Sequence, residues 1–169
     1  DMKELGFNFR MTDLQAALGI AQIAQGEKFV LARRQKASWY HQALKSTTEL
    51  ELPWQGAGFE RNEQSWVVSL RPKWLRAGDT AAVRRLRQVR DQILQRCQAD
   101  QVGMRLAAYN MAELSFYQKK YGWRGEDFPG AQLAAASTLA LPIYPDITEA
   151  QQKRVVEVLL KHLSLLHEG

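Results

Sequence analysis

A chain of 169 residues, 46% hydrophobic and 24% charged, has the size and balance of one globular domain and carries no disorder signature. No apolar run approaches the roughly 20 residues that span a bilayer, no basic-then-apolar leader opens the chain, and the lone Cys97 excludes an intrachain disulfide and a zinc cluster, so a cytoplasmic protein is the expectation. The net charge of +5 is modest and no nucleic-acid motif accompanies it, so the basic excess reads as a solvated face with no nucleic-acid partner.

In chain order, Thr12 is an N-cap residue, and Leu14, Ala17, Leu18 and Ala21 follow it at helical spacing, predicting a helix that ends near Gly26. A second helix is expected from about Glu27 to Lys45, with Phe29, Ala32, Ala37, Tyr40 and Leu44 on one side. Residues 46–61, with Pro53, Gly56 and Gly58, read as loop. Trp66-Val67-Val68-Ser69-Leu70 is the best strand of the chain. Gly78-Asp79 opens a long helix with Val83, Leu86, Ile93 and Cys97 on one face and Arg85, Gln88, Gln92 and Arg96 on the other. The arginines at 84, 85, 87, 90 and 96 read as its solvated side. Val102 to Leu106 is a second short strand, and Glu113 to Tyr121 a short helix stopped by Gly122. Another helix follows Pro129, because proline suits a first helical turn. Residues 141–145 carry two prolines and cannot be helical. Thr148 with Gln151 forms a capping box for a last helix striped by Val155, Leu159, Leu163 and Leu166. The sum is an α+β fold: a small, mostly antiparallel sheet of two or three strands covered by several helices, in a single domain over 1–169.

Asn8, Arg10 and the capped helix start at Thr12 stand close together in the sequence. An amide and a planar guanidinium both donate hydrogen bonds, and a helix N-terminus presents free N–H groups, so the three together suit a phosphate or carboxylate. A plain reading stands beside this: Asn8 caps a turn and Arg10 pairs with Glu4. Leu5-Gly6-Phe7-Asn8-Phe9-Arg10-Met11-Thr12-Asp13-Leu14-Gln15-Ala16-Ala17 resembles the G-[YF]-N-[YF]-R-M-T-x-x-Q-A-A motif of DegT/StrS-type sugar aminotransferases. The string Ala32-Arg33-Arg34-Gln35-Lys36-Ala37-Ser38-Trp39-Tyr40 resembles the family's R-R-x-x-A-x-x-Y helix, and Phe128-Pro129-Gly130-Ala131 its F-P-x-A. Leu139-Ala140-Leu141-Pro142-Ile143-Tyr144-Pro145-Asp146-Ile147-Thr148 resembles its L-x-L-P-[LI]-[YF]-P-x-[LI]-T. The first and last of these are specific, the middle two weak alone.

The resemblance implies pyridoxal phosphate (PLP) as cofactor, a nucleotide-linked keto sugar as substrate, and an amino-acid donor, commonly glutamate. It implies a homodimer in which residues 6–12 face the neighbouring subunit's PLP, with Asn8 and Arg10 as cofactor-binding residues and Phe7 and Phe9 as packing anchors that hold those polar groups outward. In the family the lysine that carries the cofactor and the acid beside its ring nitrogen lie in a large domain. No lysine here stands in such a context, so the chain is expected to be the C-terminal small domain with its leading helix, to contain no catalytic residue, and to be inactive alone. The pattern departs at 104–117, where relatives carry histidines and this sequence has none. There Arg105, Tyr109 and Asn110 are substitute substrate contacts. His41, His162 and His167 have no metal-ligand spacing, so no metal site is expected. The alternative is a non-catalytic helical adaptor or regulatory relative that binds an anionic partner through the basic face.

Overall fold

The computed structural model describes residues 1–75 and 79–167. These residues form six α-helices: α1 (Asp13–Ile23), α2 (Gly26–Leu44), α3 (Thr80–Ala99), α4 (Ser115–Tyr121), α5 (Pro129–Ser137) and α6 (Glu149–His162). Four strands, β1 (Leu50–Glu51), β2 (Trp66–Leu70), β3 (Arg105–Leu106) and β4 (Thr138–Leu141), form one sheet in the order β1-β2-β4-β3. Every neighbouring pair is antiparallel, so the fold is α+β as expected. None of the described helices is long and apolar enough to cross a membrane.

The caps legible in the sequence are in place. Thr12 and Thr148 each close a capping box, with Gln15 and Gln151. The Asp79 carboxylate accepts from the Ala82 N–H at 2.9 Å; Gly78, the other residue of that predicted start, lies outside the described residues. Gly122 ends α4 in the left-handed region at φ 69°, where a Cβ would cost energy. Pro129 is the first residue of α5.

Two expectations are corrected. The sheet has four strands, one more than the upper bound read from the sequence. Its β1 is two residues inside a stretch read as loop, too short to show any period, and it exists because Leu50 pairs with Leu70. The strand β4 sits centrally, pairing Leu139 with Val68 and Leu141 with Trp66, and its Thr138, Leu139 and Leu141 are buried without alternation. The predicted strand from Val102 narrows to Arg105–Leu106, which pairs with β4 alone.

The second correction concerns α3. Arg90 is not on a solvated face: it is 3% exposed, its Nη1 donates to the Ala135 carbonyl at 2.8 Å, and its Nε donates to Asp91 at 2.8 Å. Its spacing from Val83, Leu86, Ile93 and Cys97 places it on the buried stripe. Arg87 is half-buried against Glu113 at 2.7 Å, which holds its proton more tightly than usual, and Arg85 stacks 4.5 Å over the Trp74 ring. Arg84 and Arg96 are exposed, as expected.

The core joins the inward row of β2 (Trp66, Val68, Leu70) to Tyr40 and Leu44 of α2, Leu86 and Ile93 of α3 and Leu159 of α6. Each such aliphatic or aromatic side chain contributes about 1.5–3 kcal/mol by leaving water. Two buried polar side chains tie elements together. The Tyr40 hydroxyl donates to the Pro142 carbonyl at 2.9 Å, and burial drives its pKa upward. Gln152 Nε2 donates to the Lys36 carbonyl at 3.0 Å, tying α6 to α2. Cys97 is a buried thiol pushed up to about 11, chiefly by burial.

Candidate functional site

The segment leading into α1 is held by local chemistry. Asn8 Oδ1 accepts the Arg10 backbone N–H at 3.3 Å, and Arg10 itself sits in the left-handed region at φ 61°. A non-glycine residue there costs about 1–2 kcal/mol, offset in part by the Asn8 hydrogen bond. Thr12 then extends and starts the helix, its hydroxyl accepting from Gln15 N and its N–H donating to Gln15 Oε1 at 2.9 Å. The result leaves two donors open. Among the described residues the Asn8 Nδ2 and the Arg10 guanidinium have no partner, and Arg10 forms no ion pair with Glu4.

The root of this segment is tied down. The Asp1 carboxylate accepts from the backbone N–H and the hydroxyl of Ser115, and Phe116 N donates to the Met2 carbonyl at 3.0 Å. These bonds fasten the chain start to the first turn of α4, just after the residues singled out as substrate contacts.

The packing expectation for Phe7 and Phe9 does not hold within this chain. They are 86% and 87% exposed and meet only each other, with ring centroids 6.0 Å apart. The exposure continues along α1, where Leu14, Leu18, Ile20 and Ile23 are all exposed and no residue is buried. The phenylalanines flank the motif, and among the described residues none covers them.

The three predicted substrate contacts part company. Arg105 lies on the exposed edge strand β3, without a partner among the described residues, and lines a cleft of about 390 Å³ with Gln64, Ser65, Gly103 and Tyr144. Tyr109 is exposed, four residues further on. Asn110 is buried and already engaged: its Oδ1 accepts from Ala112 N at 3.1 Å and its Nδ2 donates to the Gly125 carbonyl at 3.1 Å. Both ends of that amide shape the loop, so Asn110 positions this region from beneath and offers nothing to a ligand.

Two of the three histidines have carboxylate partners. His162 Nε2 lies 2.9 Å from Asp100 Oδ2, which also accepts from Lys161 at 2.8 Å, and these contacts, Lys161 foremost, hold the Asp100 carboxyl below its usual range. His167 lies 3.1 Å from Glu49. Among the described residues no group of three or more His, Cys, Asp or Glu is arranged to hold a metal ion.

Comparison with known proteins bears on this geometry. The model of the DegT/DnrJ/EryC1/StrS aminotransferase family matches residues 1–160. Over 161 residues the chain is 26% identical to an uncharacterized protein, MJ1066, of Methanocaldococcus jannaschii, covering 95% of this chain and 39% of that one. Over 134 residues it is 23% identical to the GDP-perosamine synthase of Escherichia coli O157:H7, covering 74% and 32%. In structure it resembles PseC of Helicobacter pylori, an aminotransferase involved in the biosynthesis of pseudoaminic acid, with a TM-score of 0.77, 14% identity, and coverage of 97% of this chain and 40% of that one. That likeness shows the fold. The chain spans no more than about two fifths of the length of these proteins.

Proposed function

The chain belongs to the DegT/DnrJ/EryC1/StrS aminotransferase family, and on that premise we propose that it is the C-terminal small domain, with its leading helix, of a PLP-dependent sugar aminotransferase. The whole enzyme moves an amino group from glutamate to a nucleotide-linked keto sugar. The observation that carries this reading is the pair of open donors, Arg10 and Asn8, set beside a capped helix start within the family motif.

PLP, when bound, supplies the electron sink through which an amino group passes between two substrates. The donors present fit its phosphate. Arg10 offers a planar fork and Asn8 Nδ2 two further hydrogens, and charge-assisted bonds of this kind are the strong ones. The left-handed turn at Arg10 is fixed by Asn8 Oδ1, so one side chain shapes the loop and donates from it. The apolar row from Phe7 through Ile23 is the surface on which the large domain and a second subunit pack, making the working unit a homodimer with residues 6–12 facing the neighbouring cofactor. Arg105 and Tyr109 are the exposed groups of the substrate side: a guanidinium for an anionic linkage and a ring for a sugar or base face. The cleft lined by Arg105 belongs to the sheet edge, and Asn110 holds the loop that carries Tyr109.

The adaptor alternative loses its support in α3. Arg90 is buried, Arg87 is paired with Glu113, and Arg85 stacks on Trp74, so the run of arginines is not an open track for anions.

The test compares the chain alone with the intact enzyme. The chain mixed with PLP is expected to give no borohydride-reducible visible band, while the intact enzyme aminates a nucleotide-linked keto sugar with glutamate as donor. Stoichiometric reduction of PLP onto one specific lysine of the isolated chain would sink the reading.

A further inference from the structure

Residues 54–63 fold over the flank of α2 and leave a cleft of about 650 Å³, walled by Arg34, Ser38, Trp54, Phe59, Arg61 and Glu63. Its aromatic wall is built by a close approach. The Trp54 indole lies across Gly56, where any Cβ would overlap the ring, and Trp54 meets Phe59 edge to face at 5.2 Å between centroids. Both rings stay largely exposed.

The polar wall is charge-paired yet incomplete. Arg34 Nε donates to the Arg61 carbonyl at 2.8 Å and its Nη2 to Glu60 at 3.2 Å, while Arg61 Nε stands 3.0 Å from Glu63 Oε1. Glu63 is only 8% exposed, sits in the left-handed region at φ 51°, and its second oxygen, Oε2, is buried with no donor. A buried acceptor without a partner is costly and rare in a native fold. Glu63 is one of the residues lining the cleft, so a ligand seated there is the group that can supply the missing donor. On the other side, Arg34 Nη1 and both Nη groups of Arg61 have no acceptor among the described residues.

These features define the occupant. It brings an N–H donor for Glu63 Oε2, an acceptor for the free guanidinium hydrogens, and a flat apolar part for Trp54 and Phe59. Two arginines and two glutamates cancel, so it carries no net charge. Phosphate or a lone cation satisfies one side only and leaves its charge unbalanced. We propose that this cleft binds the zwitterion of an α-amino acid with an aromatic side chain. Its ammonium donates to Glu63 Oε2, its carboxylate accepts from Arg34 and Arg61, and its ring packs on Trp54 and Phe59. The site uses neither the Asn8–Arg10 motif nor Arg105, so it stands or falls separately from the aminotransferase reading and makes the domain responsive to a free amino acid.

The experiment is calorimetric titration of the intact protein with L-phenylalanine, beside phenethylamine, which lacks the carboxylate, and 3-phenylpropanoate, which lacks the ammonium. Saturable binding of L-phenylalanine at one site per chain is expected, with each analogue about tenfold weaker or worse, the loss of one charge-assisted contact. Glu63→Gln keeps the shape but presents an amide to the incoming ammonium, and Trp54→Ala removes the exposed platform. Each is expected to weaken L-phenylalanine about tenfold with thermal melts close to wild type. No saturable heat up to the solubility of L-phenylalanine overturns the proposal. So do analogues that bind as well as the zwitterion, or binding of D-glucose in its place that depends on Glu63. If Glu63→Gln fails to fold, the analogue series on the unmutated protein decides alone.

Discussion

The body of the molecule and the segment before it obey different rules. From α2 onward, most of the helices and strands bury a face (α2, α3, α5, α6, β1, β2 and β4), and buried polar groups such as Tyr40 and Gln152 find partners in the Pro142 and Lys36 carbonyls. Residues 3–23 include a well-capped helix, a fixed turn at Asn8–Arg10, and not one buried side chain. Local signals alone draw that helix, whereas in the body burial and local signals agree. A segment rich in leucine, isoleucine and phenylalanine that buries none of them leaves an exposed apolar surface, the kind of surface that marks interaction sites. The candidate site therefore lies on the part of the molecule that contributes least to its own stability.

The sharpest break of this contrast is a pair of truncations. Leu159→Ala in α6 should cost about 2–5 kcal/mol, as for other buried leucines, whereas Leu18→Ala in α1 should stay within about 0.5 kcal/mol in the isolated chain. Denaturant melts of both variants measure the difference, and equal losses would mean that α1 is packed in solution.

Association comes next in size. The isolated chain is expected to self-associate through the row from Phe7 to Ile23, and Leu14→Glu combined with Leu18→Glu should return it to a monomer. Light scattering over a wide concentration range reads this directly. A wild-type chain that stays monomeric throughout would remove the docking role from α1.

The smallest effect lies in the body. Lys161 and His162 depress the Asp100 carboxyl. A depressed carboxylate stabilises the fold at pH above its unfolded value and loses that contribution as pH falls through the folded value. Wild type should therefore melt slightly above Asp100→Asn at pH 7, and the gap should close as the solution is acidified below the ordinary aspartate range near about 3.9. Paired melts across that range test the sign, and a gap that widens on acidification would contradict the assignment.

Much of this architecture was legible because its signals are local. Thr12, Asp79, Thr148, Gly122 and Pro129 each mark a helix end by hydrogen bonding or by a fixed dihedral angle. The strand Trp66–Leu70 showed itself by composition. What was missed depends on partners distant in sequence. The pairing of Leu50 with Leu70 creates β1, and a carbonyl at Ala135 makes a buried place for Arg90, although the spacing from Leu86 and Ile93 already put position 90 on the inner stripe. Asn110 was read as a substrate contact because a sequence shows an amide without the Ala112 N–H and Gly125 carbonyl that engage it. Glu63 gave no signal, since neither its left-handed backbone nor its orphaned oxygen has a sequence signature.

The central claim is that Asn8 and Arg10 hold a phosphate while contributing little to folding. Its most direct test is a PLP titration of the intact protein carrying Asn8→Ala, Arg10→Ala, Arg10→Lys or Arg96→Ala, with melts of the apo forms as control. The alanine variants should lose about ten- to hundredfold in cofactor affinity at unchanged apo stability, since each charge-assisted bond is worth about 1.5–3 kcal/mol. Arg10→Lys should recover part of the loss, because a point charge does not reproduce the planar fork, and Arg96→Ala on the exposed face of α3 should match wild type. Wild-type affinity in Asn8→Ala and Arg10→Ala, with a loss in Arg96→Ala, would contradict the account and move the anion site to α3.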